Sequence, residues 1–231
     1  MLRIDSVHRI ALPLLAAAMV LLVFVSRAEA QVREVGLKAG GGNSSMIFFY
    51  GRCAPEMAEM CVEFGQPHEP RHGFAGGAFV RVGLSRSLSL QPELLFVQKG
   101  FEVTGPTLHL SYIELPVLLR ADLRGTEAGG VRPFLYGGLA PALLTSCTVF
   151  GTHVEGAYHG RCGEVEPADV QLEPRSYDLG LALGGGLNVM GLVVELRHTR
   201  GLIDNQVRPH AERSTNRALT ALVGYSVPLL R

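Results

Sequence analysis

Three sets of side chains in this 231-residue sequence could carry chemistry by type and spacing. The first is charged. Lys38, Arg81, Lys99, Arg120 and Arg197, with Glu93, Glu114, Asp178 and Glu195, interrupt runs otherwise built from Leu, Val, Ala and Gly. Two carboxyls such as Glu93 and Glu114 are what a general acid and base require. Arg81, Arg120 and Arg197 are available to neutralise them, which points to a structural ion-pair network rather than a tuned acid. The second set is Cys53, Cys61, Cys147 and Cys162, which fall as two local pairs in polar, turn-like segments and suit an oxidising compartment. Two loop-closing disulfides are expected, Cys53 with Cys61 and Cys147 with Cys162. His68, His72, His153 and His159 share those segments, but no C-x-x-C or H-x-x-x-H spacing makes them a metal site. The third is His198 beside Thr199, the one strand-borne pair that could serve nucleophilic catalysis. An amphipathic side chain near a strand end is equally ordinary there. No catalytic residue, metal or cofactor is expected.

Composition narrows the partners. The 21 basic and 21 acidic residues leave no net charge to favour nucleic acid. "KAGGGNSS" has glycines but lacks the G-K-[ST] ending of a phosphate loop.

The N-terminus reads as an export signal over residues 1–30. "MLRIDSVHR" is a basic lead, "IALPLLAAAMVLLVFV" an apolar stretch, and Ala28 and Ala30 are the small residues before a cut at Gln31. No later run reaches the roughly 18 apolar residues of a helical span, which leaves a soluble exported protein or a transmembrane β-barrel over 31–231.

The elements that must position the charges are strands. Eight are expected, at about 34–46, 73–85, 87–101, 108–123, 131–146, 174–188, 191–202 and 214–228. Long links, 47–72 and 147–173 above all, alternate with short ones, as in an up-and-down barrel with short turns at one end and long loops at the other. Parity sorts the side chains. Ile113, Leu115, Val117 and Leu119 share one face, and Glu114 and Arg120 the other. Val194 and Leu196 oppose Glu195 and Arg197. The nine charged residues collect on the second face, where a cross-lumen network would fill a small barrel while lipid covers the aliphatic face. A soluble barrel of lipocalin type would place its apolar face inward instead. Pro92, Pro116 and Pro141 within strands each remove a ladder donor and are read as bulges or kinks.

"VGLKAGGGNSS", "LSLQPELLFVQKGF", "LSYIELPVLLRADL", "RPFLYGGLAPALL", "LGLALGGGLNV", "VVELRHTRGL" and "LTALVGYSV" resemble the outer membrane β-barrel domain family, which includes PorT-like proteins. The likeness spans the mature chain and is most specific at Gln91-Pro92-Glu93-Leu94 and Tyr112-Ile113-Glu114-Leu115-Pro116. It implies an eight-stranded, OmpA-like antiparallel up-and-down barrel in the outer membrane, in contact with lipid and inserted by the barrel-assembly machinery; a monomer is expected. Family members end on an aromatic residue that this machinery reads. Here "GYSVPLLR" continues, so Tyr225 and Val227 are the expected signal. The resemblance admits a structural or surface-interaction role through the two stapled loops, with an extracellular partner. It also admits an accessory role in protein secretion or outer-membrane assembly.

Overall fold

A computed structural model describes residues 32–53, 61–67, 69–102, 107–123, 130–153, 156–162, 164, 174–205 and 213–229. The expected signal peptide, 1–30, lies outside them. Among the described residues there are eleven strands: β1 (Val32–Cys53), β2 (Cys61–Pro67), β3 (Glu69–Gly83), β4 (Leu88–Glu102), β5 (Thr107–Glu114), β6 (Val117–Asp122), β7 (Val131–His153), β8 (Gly156–Arg161), β9 (Tyr177–Val189), β10 (Leu192–Gly201) and β11 (Arg213–Pro228).

They form one closed antiparallel ring of eight staves. The path β1-β3-β4-β5/β6-β7-β9-β10-β11 returns to β1, whose Glu34–Phe49 pair with Pro228–Arg213. β5 and β6 make one stave, because both pair with β4 on one side and β7 on the other. Closure leaves no free edge across a lipid layer, which is what lets a sheet cross one. All eight expected strands correspond to staves.

Two expectations about the links and the prolines need correction. Residues 47–72 and 147–173 are not simply loops. β1 continues to Cys53 and folds back through β2, and β7 continues to His153 and folds back through β8. Past Met46 and Ser146 the alternation of aliphatic and small or polar side chains gives way to Ile47-Phe48-Phe49-Tyr50 and Cys147-Thr148-Val149-Phe150, but backbone pairing continues regardless of that pattern. Of the prolines, only Pro116 marks a break, between β5 and β6; Glu93 N–H still donates to its carbonyl at 2.9 Å. Pro92 and Pro141 sit in unbroken register, opposite Val117 and Leu179. The register shifts lie elsewhere: next to Arg33, between Pro70 and Ala75, and at Thr145, whose hydroxyl donates to the Ser111 carbonyl at 2.9 Å.

The faces sort by polarity in the sense opposite to a soluble barrel. Leu37 (69% exposed), Leu135 (56%) and Val223 (53%) lie outside with a continuous aliphatic band, whereas the charged side chains are buried within. That excludes the lipocalin-type reading. A soluble chain would expose this band to water at about 25 cal/mol per Å².

Candidate functional site

The interior is built by residues two apart on each stave, and glycine makes room for the larger ones. Gly184 stands on β9 between Tyr136 and Arg197, its register partners; a Cβ there would lie 2.5 Å from the Tyr136 hydroxyl. Gly36 likewise leaves space for the Phe79 ring.

Each of the nine charged residues assigned to the interior by parity is between 1% and 5% exposed. They stand at three heights. Nearest the short turns, Glu34 and Arg81 are direct register partners on β1 and β3 and form an ion pair. Arg81 also reaches Asp122 at 3.0 Å, and Asp122 accepts from Arg120 at 2.9 Å. The Arg120 guanidinium lies 3.6 Å from the centre of the Phe134 ring, an unusually close cation–π stack. At mid-height Lys38 Nζ donates to Glu93 at 2.7 Å and Glu195 at 2.8 Å. Arg197 joins the same carboxylates at 2.8 and 3.0 Å, and its Nε donates to the Tyr136 hydroxyl at 3.1 Å. Gln91 links the two levels, donating to Glu93 at 2.7 Å and accepting from Arg120 at 3.2 Å. Above them Lys99 meets Glu114 at 2.6 Å beside the Tyr112 ring, while Asp178 accepts from the Asn216 amide at 2.7 Å.

Beyond the charges, toward the long links, Met46, Phe101, Leu108, Leu110, Tyr112, Ala142 and Val149 form a buried apolar cluster. The disulfide Cys147–Cys162 ties β7 to the residue after β8 and packs against that cluster. Cys53 and Cys61 are register partners at the tip of the β1–β2 hairpin.

The candidate chemistry is not assembled. Glu93 and Glu114 are each engaged by their own cations. His198 faces outward, half-buried, while its neighbour Thr199 faces in. His159 stacks on Phe150 with ring centres 4.4 Å apart, and His72 is exposed. Among the described residues no group of three or more His, Cys, Asp or Glu could hold a metal. Tyr225 and Val227 point outward at the end of β11, 59% and 51% exposed.

The sequence reading missed Glu34 and left Asp122 out of the network, although both share parity with residues it included. With Arg132, 3.6 Å from Glu34 and half-exposed at the mouth, they bring the set to six cations and six carboxylates. Gln91 and Tyr136 were also missed as connectors; only their even spacing among inward residues could have flagged them.

A closed eight-stave ring with an aliphatic exterior and a buried charged interior defines a transmembrane β-barrel of the outer-membrane kind. The sequence model of the outer membrane protein β-barrel domain matches residues 30–206, and the chain belongs to that family. The protein therefore resides in the outer membrane. No curated protein sequence matches it. Among solved structures it is similar to Ail, the attachment invasion locus protein of Yersinia pestis, at 9% identity over 85% of this chain and all of that one, TM-score 0.39. It is similar to Neisserial surface protein A at 10% identity, covering 83% and 96%, TM-score 0.41. It is similar also to the outer membrane enzyme PagL at 11% identity, covering 80% and 98%, TM-score 0.38.

Proposed function

We propose that this chain is a closed, non-enzymatic barrel that serves as a membrane-anchored platform for its two outer hairpins, β1–β2 and β7–β8. One observation carries the reading: the lumen is occupied at three heights by charge-matched side chains and then by an apolar cluster. An eight-stranded barrel has an interior only wide enough for side chains to fill, and a filled interior gives a solute no path. What remains available to partners is the outer end, where β1 and β7 run to 22 and 23 residues, about twice the roughly 10 needed to span. The β7–β8 hairpin is held by Cys147–Cys162, which reduces the ordering cost of presenting it to an extracellular protein. The barrel acts as a monomer, and its outward Tyr225 and Val227 serve as the assembly signal.

Planar-bilayer recording of the purified full chain tests the reading. The expected result is no stepwise conductance. Steady conductance by the unsubstituted protein overturns a closed lumen. Mass spectrometry of lipid incubated with the protein tests the non-enzymatic part, and deacylated or otherwise cleaved lipid overturns it. Deletion in cells separates the roles: loss of a secreted cargo with intact surface binding would favour the accessory reading.

A further inference from the structure

We infer that Arg200 and Arg217 form a site on the lipid-facing wall for a phosphate-bearing headgroup of the outer leaflet. The two residues are direct register partners on β10 and β11, and both are exposed. Side chains opposite one another in an antiparallel pair have Cβ atoms about 5 Å apart, and like charges there are destabilising. The interior handles its cations differently: Lys38, Arg81, Lys99, Arg120 and Arg197 each meet a carboxylate within 3.0 Å. Among the described residues neither Arg200 nor Arg217 forms an ion pair. Their outer register neighbours are Leu181 on β9 and Ser45 on β1, neither able to supply the missing charge. Asp204, further out, is engaged by the Ser214 amide at 2.8 Å.

Depth decides which anion fits. On β10 the outward residues run Leu192, Val194, Leu196, His198, Arg200, and on β11 Val227, Tyr225, Val223, Ala221, Leu219, Arg217. Both guanidiniums thus come at the outer end of an outward apolar run; on β11 it extends from Val227 to Leu219, roughly 26 Å along the strand, comparable to an apolar band about 25 Å tall. That is where hydrocarbon gives way to headgroups. Arginine's planar fork matches phosphate in a bidentate fashion, and its stem can lie along the apolar wall below. A lipid phosphate bridging the pair would remove the repulsion and anchor the lipid at once. The inference rests on the outer-membrane location and not on the proposed role of the hairpins.

Native mass spectrometry of the full chain in detergent, titrated with bisphosphoryl lipid A, tests it. Retention of the heat-dependent shift in gel mobility first establishes that each variant is folded. Arg200→Gln/Arg217→Gln is expected to weaken binding by roughly tenfold or more, the loss of one or two charge-assisted hydrogen bonds. Arg200→Lys/Arg217→Lys should fall between, since charge survives without the fork. Arg86→Gln, in the turn at the opposite end, should bind as the unsubstituted protein does. Lipid A stripped of phosphate should bind the unsubstituted protein as weakly as the phosphorylated lipid binds the Gln variant. The contrast between phosphorylated and stripped lipid on the unsubstituted protein stands even if the Gln variant does not fold. Equal binding of phosphorylated and stripped lipid, or undiminished binding by a folded Gln variant, overturns the site. Displacement of the lipid by equimolar inorganic pyrophosphate overturns its assignment to a lipid.

Discussion

Lys38 and Glu195, 157 residues apart in the sequence, meet at 2.8 Å inside the lumen over the intervening stave β11. The contact is half of a neutral knot, because Lys38 and Arg197 face Glu93 and Glu195 with each cation touching both carboxylates. Removing one partner from a buried pair leaves an uncompensated charge, at a cost of about 3–5 kcal/mol. Lys38→Met is therefore expected to lower the unfolding free energy by that amount, read as a lower urea midpoint in lipid vesicles at unchanged slope. Adding Glu195→Gln should recover part of it. A single variant as stable as the unsubstituted protein would mean that water, not Lys38, compensates the carboxylates.

Glycine tolerance should differ sharply between two positions. A Cβ at Gly40 would overlap the Ala221 carbonyl oxygen across the β1–β11 seam, and backbone cannot step aside cheaply. A Cβ at Gly137 would crowd Leu183 Cδ2 at 2.8 Å, the end of a flexible side chain, with the Ala182 carbonyl oxygen at an ordinary 3.8 Å. Gly40→Ala should cost about 1–3 kcal/mol or prevent assembly, and Gly137→Ala under about 1 kcal/mol. Heat-modifiability of the two variants in the membrane fraction reads the difference. Equal behaviour would contradict the seam geometry.

Peptide mapping under non-reducing conditions should return two linkages, Cys147–Cys162 and Cys53–Cys61. The first is present in the structure, and the second follows from the register that places the two residues opposite one another. Replacing Cys147 and Cys162 with Ser should leave membrane insertion intact, because the bond closes a 15-residue separation beyond the lipid band. It should make the β7–β8 hairpin more sensitive to protease, through a loss of about 3 kcal/mol of loop constraint. A substituted barrel that fails to insert would place the bond in assembly instead.

The rim contact between β3 and β5 should depend on pH. His109 lies beyond the last outward aliphatic residue of its stave, Ile113, and its Nδ1 is 2.9 Å from the Arg71 guanidinium. Burial first, and then Arg71, holds its imidazole below the ordinary histidine range. A depressed folded value means that the neutral ring favours the native contact. Its contribution is complete above the unfolded value of about 6.5 and is lost as pH falls through the lower folded value. In an NMR titration His109 should titrate below an exposed histidine, and Arg71→Gln should raise its midpoint. An unchanged midpoint in that variant would remove Arg71 as a cause.

Parity made the architecture readable. "SYIEL" and "VVELR" show which residues face lipid and which face inward, because the side-chain period of a strand is two whatever the fold. Parity carries no height, however. It places Lys38 and Lys99 on the same face without saying that the first meets Glu93 and Glu195 while the second meets Glu114. That choice depends on stagger between staves, which accumulates around the ring and is set by register shifts such as the one at Thr145. The outer hairpins escaped for a different reason. Beyond the lipid band β1 and β7 lose the aliphatic alternation that identified them, while their backbone pairing continues.

The seam that brings β11 back to β1 has a kinetic consequence. Lys38 lies on β1, yet its partner Glu195 belongs to β10, and Arg197 on β10 reaches Glu93 on β4. Glu195 and Arg197 offset one another within β10, but Lys38 on β1 and Glu93 on β4 find their opposite charges only on staves that are not their neighbours. A chain that entered hydrocarbon one hairpin at a time would carry bare charges inward, whereas one that rolls up at the bilayer surface meets lipid only after its charges are matched. Ring closure is therefore expected to precede full descent of Lys38 and Glu93 into the membrane.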